Sequence, residues 1–373
     1  MVAPRGNHPA MRWPLSVPVL SDGVVTLRAH VPGDVDAMTE MAQDEAMARW
    51  TAVPVPYERK HAEDYASSMM ARLWDEGTSR GWAIEADGRF VGNIDLRGSG
   101  VLDVGFALHP AARGQGFMAR AVRLVVDHAF TEGIGEVVHW RGHVGNVASL
   151  RVAHATGFTL HGIQPGLLWE RGRAIDAWTA SIRFGDPPVP RTRWLDDVLE
   201  TERLRLRPMT EADVPRIVEA GTDPVTRQYI AGLPRPYTPQ DGRAFVHATT
   251  WEAARGTQAS WTVADAATDE LLGHLALMRL GPPDPGQGEV GYWMHPDARG
   301  RGVMREALEA VVEHALSPEG LDLRRLSLWA AAGNDASNAV ARACGFVPTG
   351  RETSAEALGD GTLDDANGYE ILR

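Results

Sequence analysis

The chain has 373 residues, 44% of them hydrophobic and 23% charged, with 37 basic and 49 acidic groups and a net charge of −12. At roughly 100–200 residues per domain that length predicts two or three domains, and the composition is that of a globular protein rather than a disordered one. No run of about 18 apolar residues offers a membrane span, a single cysteine excludes a disulfide framework or a Cys-rich zinc site, and the acidic excess argues against a nucleic-acid coat.

Residues 1–19 hold Pro4, Pro9, Pro14 and Pro18 and no apolar stretch of signal-peptide length. They read as a loose tail, with a cytoplasmic location as the default. A first domain is expected over 20–184. It opens with a strand through Val25 and Leu27, followed by strands at Trp82–Glu85 and Phe90–Leu96 and a further strand through Val104, Phe106 and Leu108. A His109-Pro110 break then leads to Arg113-Gly114-Gln115-Gly116 and a helix. Phe117, Ala121, Leu124, Val125 and His128 recur on that helix at core-facing spacing. Asn146-Val-Ala-Ser149 starts another helix before Gly157-Phe158.

Gly185-Asp-Pro-Pro-Val-Pro190 cannot continue a helix or a central strand. It marks a linker at about 185–197, with a second domain over 198–373. That domain opens with Leu204 and Leu206, and Thr210 is a possible cap for the helix that follows. Trp261–Ala264 and Leu271–Leu277 match the strands of the first half. Glu289-Val-Gly-Tyr-Trp-Met-His-Pro-Asp-Ala-Arg-Gly-Arg-Gly-Val-Met304 repeats the block beginning at Asp103, 186 residues on, and Asn334-Asp-Ala-Ser337 repeats Asn146–Ser149, 188 residues on. Blocks matched in order at so long a period describe a duplicated whole domain. Each copy is expected to be a layered α/β (α+β) domain with a mixed sheet. The copies differ in charge: 18 basic and 20 acidic groups lie in 1–185, against 19 and 29 in 186–373. The acidic half suits a cationic substrate, or simply a solvated surface.

Arg-Gly-x-Gly at a helix start has the parts of an anion site. Two glycines let the backbone approach a ligand, the first-turn N–H groups are free, and the helix dipole favours negative charge. Arg113 and Arg299 add a guanidinium. A triphosphate loop would need Gly-Lys-Ser/Thr, and a dinucleotide site a third glycine and a later acid. Neither copy has them. Cys344 reads as core, His109 and His295 as turn residues, Trp50, Trp74 and Trp82 as core or pocket wall, and Trp169, Trp178, Tyr229 and Tyr237 as possible acceptor-pocket lining. The histidines show no metal spacing.

The repeated block resembles the acyl-CoA-binding motif Q/R-x-x-G-x-G/A of the GNAT acetyltransferase superfamily. Arg113, Gly116 and Met118 fill it in the first half and Arg299, Gly302 and Met304 in the second, with methionine where the motif has Gly or Ala. Leu199–Pro208, Glu289–Trp293 and the Asn-x-x-Ser helices resemble the RimJ/RimL-type branch. The resemblance implies two tandem GNAT-like domains, each with a mostly antiparallel central sheet flanked by helices and a V-shaped opening between two strands. It implies acetyl-CoA or another acyl-CoA as co-substrate, no metal, and a pantetheine arm held by the strand backbone at Phe106 and Leu108 or Tyr292 and Met294. The pyrophosphate would sit on Arg113-Gly114-Gln115-Gly116 or Arg299-Gly300-Arg301-Gly302.

The implied reaction is direct attack of an amine on the thioester. By position, Glu289, and the shorter Asp103, would be the general base; Ser149 and Ser337 would protonate the leaving thiolate. Asn146 and Asn334 are helix caps, contacts to the cofactor arm, or both. The acceptor is a peptide or protein N-terminus or a small-molecule amine. Antibiotic modification, a longer acyl chain and a non-catalytic CoA-binding scaffold remain as alternatives. A monomer is expected, with the two copies pairing as a homodimer would.

Overall fold

The computed structural model describes Trp13 and residues 16–373, so most of the tail expected at 1–19 lies outside the described residues. The chain divides into two compact units, one ending at Arg191 and one spanning Thr192–Arg373. The segment 185–197 is shared between them. Pro187 and Val189 lie against Gly157, and the Arg191 side chain donates to the Gly157 carbonyl. Thr192 and Leu195 instead bond the carbonyls of Ala254 and Ala253.

Each unit is one mixed sheet with helices. In the first, the strands lie in the order Leu20–Ser21, Val25–Arg28, Ser79–Ala86, Arg89–Leu108, Gly135–His143, Arg173–Arg183, Thr159–Glu170. Arg89–Leu108 folds back on itself. Its first leg pairs with Ser79–Ala86, its second leg pairs with Gly135–His143, and His109 N–H reaches the Val91 carbonyl. In the second unit the order is Val347–Ala357, Leu363–Leu372, Arg325–Ala331, Gln287–Met294, Leu271–Met278, Ala259–Asp265, Leu204–Arg207, Leu199–Glu200. Here the two legs are separate strands. All pairs are antiparallel except one in each unit, Arg89–Leu108 with Gly135–His143 and Gln287–Met294 with Arg325–Ala331.

Period-two burial sets the strand faces. Val25 and Leu27, and Leu204 and Leu206, are buried, while Thr26 and Arg205 are not. Trp82 and Trp261 fill matching places, and each indole N–H caps a carbonyl of the chain leading into its domain, Pro18 at 2.9 Å and Asp197 at 2.8 Å. Helices Phe117–Thr131 and Val303–Leu316 pack on the sheets. The first does so through Met118, Ala121, Val122, Val125, Val126 and Ala129. Phe117, Leu124 and His128, assigned to this face from the sequence, are only half-buried. Met118 takes the place expected for Phe117, because the sheet meets the helix one residue further round.

Candidate functional site

In both units the parallel ladder stops before its strand does. Pairing ends at Val104–Trp140 in the first and Val290–Leu328 in the second, while the strands run on to Leu108 and Met294. Past that point the two strands diverge. Gly105–Leu108 and Gly291–Met294 are half-buried at the margin of a wedge between them. Phe106, Leu108, Tyr292 and Met294, named from the sequence, all lie on this stretch.

The strand leads through a short turn, Pro110–Ala112 or Pro296–Ala298, into the glycine loop. Gly114, Gly116, Gly300 and Gly302 all have φ between +72° and +77°, a conformation that favours glycine. A Cβ on Gly114, Gly116 or Gly300 would meet no protein atom within 4 Å, so the loop faces open space. Gly116 and Gly302 begin their helices with no side-chain cap. The first-turn N–H groups are therefore available to an anion.

The loop arginines are placed differently from the sequence expectation. Arg113 Nη2 lies 2.6 Å from Asp44 and Arg299 Nη2 2.5 Å from Asp223. These aspartates cap Glu45–Trp50 and Pro224–Tyr229. Each arginine also approaches the carbonyl of the last strand residue, Leu108 or Met294. The guanidinium ties loop, strand end and helix cap together. Its charge holds the Asp44 carboxyl below the usual range and helps to lower that of Asp223. Met118 and Met304 turn their side chains into the core, so only their backbone faces the loop.

Asn146 and Asn334 are the caps of Val147–Ala155 and Asp335–Ala343, accepting from the N–H of Ser149 at 3.2 Å and Ser337 at 3.1 Å. The two capped serines have different partners. Ser149 Oγ accepts from the Trp140 indole at 2.9 Å, whereas Ser337 Oγ lies 2.9 Å from the Tyr292 hydroxyl. Burial pushes the Tyr292 hydroxyl up to about 12, so it stays protonated at neutral pH.

The two carboxylates at the strand starts also differ. Asp103 is gripped by both Nε and Nη2 of Arg141, at 2.8 and 2.6 Å. Glu289 is paired with Arg279, 3.2 Å to its Nη1, and that arginine's side chain is 79% exposed. Burial raises the Glu356 carboxyl, and the charges of Asp364 and Glu289 add to the shift. No sequence signal marked Glu356, because it arrives from a hairpin 67 residues away.

Several other residues are resolved into core or surface. Trp178 and Tyr237 are buried and cannot line a pocket in this arrangement, and Trp169 is exposed. Tyr229 bonds the Gly333 carbonyl at the mouth of the second wedge. Cys344 is buried as expected, which pushes its thiol up to about 11. His109 caps its turn; His295 does more, bridging Asp297 and Glu219. Among the described residues no group of three His, Cys, Asp or Glu could hold a metal ion, and no helix is long and apolar enough to cross a membrane.

A family model, the acetyltransferase (GNAT) domain, matches residues 25–159 and again 203–347. The ribosomal-protein-serine acetyltransferase of Escherichia coli (strain K12) is 35% identical over 101 residues, 27% of this chain and 54% of that protein. A relative from Bacillus subtilis (strain 168) is 34% identical over 103 residues, 28% of this chain and 54% of its own. The chain thus spans about half the length of the curated relatives it matches. Among solved structures, a RimL ribosomal L7/L12 alpha-N-protein acetyltransferase in complex with coenzyme A is 25% identical, with a TM-score of 0.43, over 47% of this chain and 98% of that one.

Proposed function

The chain belongs to the GNAT acetyltransferase family, carrying two such domains in tandem, and on that premise we propose that it transfers acetyl from acetyl-CoA to a primary amine. The observation that carries this reading is the early end of the parallel ladder at Val290–Leu328, next to an open glycine loop at an uncapped helix start. A pantetheine arm can add its amides to the free strand edge, with the pyrophosphate on the loop N–H groups. Acetyl-CoA is the co-substrate we favour, and the protein N-terminus is the acceptor we favour, in keeping with the name of the Escherichia coli relative.

The chemistry sets three tasks: deprotonate the ammonium, stabilise the oxyanion and protonate the thiolate. Deprotonation at pH 7 costs about 1 kcal/mol for an α-amine of pKa about 7.8, and about 4–5 kcal/mol for a lysine at about 10.4. In the second domain Glu289 takes the proton, through a water, and its exposed guanidinium partner is easily displaced. A strand N–H beyond Val290 polarises the thioester carbonyl. Ser337, held by Tyr292, delivers a proton to sulfur.

Calorimetric titration of acetyl-CoA into the wild type, Gly116→Glu and Gly302→Glu tests this reading. One site per intact loop is the expected result. No binding to any of the three proteins overturns it.

A further inference from the structure

The two copies differ on the sheet face beside the wedge. Trp82 pairs with Ile94 as Trp261 pairs with Leu275, so the next positions, Asp95 and Ala276, correspond. Asp95 lies between Gly81 of the neighbouring strand and Gly105 of the returning leg of its own. Arg97 Nη2 is 2.6 Å and Asp95 Oδ1 2.7 Å from where a Cβ on Gly105 would be, and the Asp95 Cβ is 3.7 Å from that of a side chain at Gly81. Gly105 is the first residue past the end of the parallel ladder. In the second domain Met278 covers the equivalent Gly291, with Cε 2.8 Å from the corresponding point. An apolar floor in one copy is a charged one in the other.

Asp103 is poorly placed to receive a proton, because Arg141 occupies both of its oxygens in a bidentate pair. Asp95 is paired with Arg97 at 3.1 Å, Oδ2 to Nε, and is 21% exposed. Its Oδ1 shares the space over Gly105 with the Arg97 guanidinium. We propose that in the first domain Asp95, rather than Asp103, accepts the proton of the attacking amine; this rests on the acyltransferase reading above. The ammonium gives one proton to Asp95 and thence to solvent. The nitrogen lone pair forms the N–C bond as the C–S bond breaks, and the second nitrogen proton passes to sulfur through Ser149.

The surroundings suit the role. Burial pushes the Asp95 carboxyl up to about 6, with Arg97 opposing and Asp103 adding to the shift, close to the value that general-base catalysis at neutral pH favours. Tyr65, which His30 meets edge-on, also acts on it, and Arg141 stands one step further away, on Asp103. Tyr65 opens a π-helical segment, Tyr65–Met69, which the matching helix Pro239–Arg255 lacks; such segments are frequent at functional sites.

The test uses the full chain with Gly302→Glu to silence the second loop. Acetyl-CoA binding is measured by calorimetry, and CoA release is followed with four probes: peptides beginning in serine or alanine, spermidine and lysine amide. For whichever probe is turned over, Asp95→Asn should lower kcat/KM at least ~100-fold, leave the acetyl-CoA Kd within about twofold and abolish the loss of rate below about pH 6. Asp103→Asn should cost less than about fivefold, and Asp95→Glu should restore part of the rate. A large loss in Asp103→Asn with Asp95→Asn near wild type overturns the assignment, as does binding with no turnover of any probe. Absence of acetyl-CoA binding is a different failure, that of the acyltransferase reading for this domain.

Discussion

Ser149 and Ser337 stand at the same place in two copies of one fold, yet each takes its hydrogen bond from a different strand. An indole can only donate, so Trp140 obliges Ser149 Oγ to accept and leaves its proton free. Tyr292 can donate or accept toward Ser337, and where Tyr292 stands the first copy has Phe106. If the pair acts as a unit on the leaving thiolate, Ser337→Ala should lower kcat roughly 100-fold and Tyr292→Phe about tenfold. The double variant should be no worse than Ser337→Ala alone, because contributions within one unit are not additive. Single-turnover rates in a Gly116→Glu background would show this. Asp95 carries a second, independent expectation. Its carboxyl is raised in the folded chain from an ordinary value of 3.8 to about 6, so the folded state binds the proton more tightly and stability from this group falls as pH rises between those values. Asp95→Asn should therefore raise the melting temperature relative to wild type more at pH 7.5 than at pH 4.5. An equal difference at both pH values would contradict the buried, raised carboxyl.

At the level of elements, both copies secure two of their helix starts by the same devices. Asn146 and Asn334 each satisfy a first-turn N–H, and replacing either by alanine should cost about 1 kcal/mol in urea unfolding of its own domain. Arg28–Asp34 and Arg207–Asp213 repeat a second device, in which a strand arginine grips the aspartate that begins the next helix. Asp213 is 4% exposed at its side chain and Arg207 11%, and the same carboxylate accepts from the Thr210 N–H and the Thr262 hydroxyl. Asp213→Ala leaves the mostly buried Arg207 guanidinium to the half-exposed Asp269 and is expected to cost about 3 kcal/mol, far more than the loss of an exposed pair such as Arg305–Glu309. Denaturant titration of the two variants, Asp213→Ala and Glu309→Ala, would separate them.

For the whole molecule, the division between Arg191 and Thr192 makes a physical claim about independence. Residues up to Arg191 bond back onto the first unit and those from Thr192 onto the second. Each unit has its own sheet and hydrophobic core. Fragments cut at this point should each unfold cooperatively and give the circular dichroism of a mixed α/β fold. A fragment that stays unfolded would mean the units are not autonomous. The unequal charge of the halves is a further difference of the same scale. It joins Glu289, Glu356 and Asp364 in the second domain and the alternating Asp95, Arg97, Asp103 and Arg141 in the first, so the two wedges present different fields to an acceptor.

Duplication, the glycine loops, the helix caps and the strand faces were legible in the sequence, because each depends on residues close together in the chain: left-handed glycines at a turn, an asparagine three residues before the N–H it caps, alternation along a strand. The family resemblance drawn from those blocks agrees with the GNAT domain matched in both halves. Contacts across the sheet were not legible. Nothing near Asp103 in sequence announces that Arg141, 38 residues away, will hold it, nor that Arg113 will bond Asp44, 69 residues back. Asp95 looked like any polar residue in an alternating strand until the hairpin folded it over Gly105. The one-residue rotation of the helix Phe117–Thr131 was likewise decided by the sheet it packs on. Local chemistry determined which pieces form. Register and strand order, set by burying both faces of the sheet at once, decided which charges meet at the wedge.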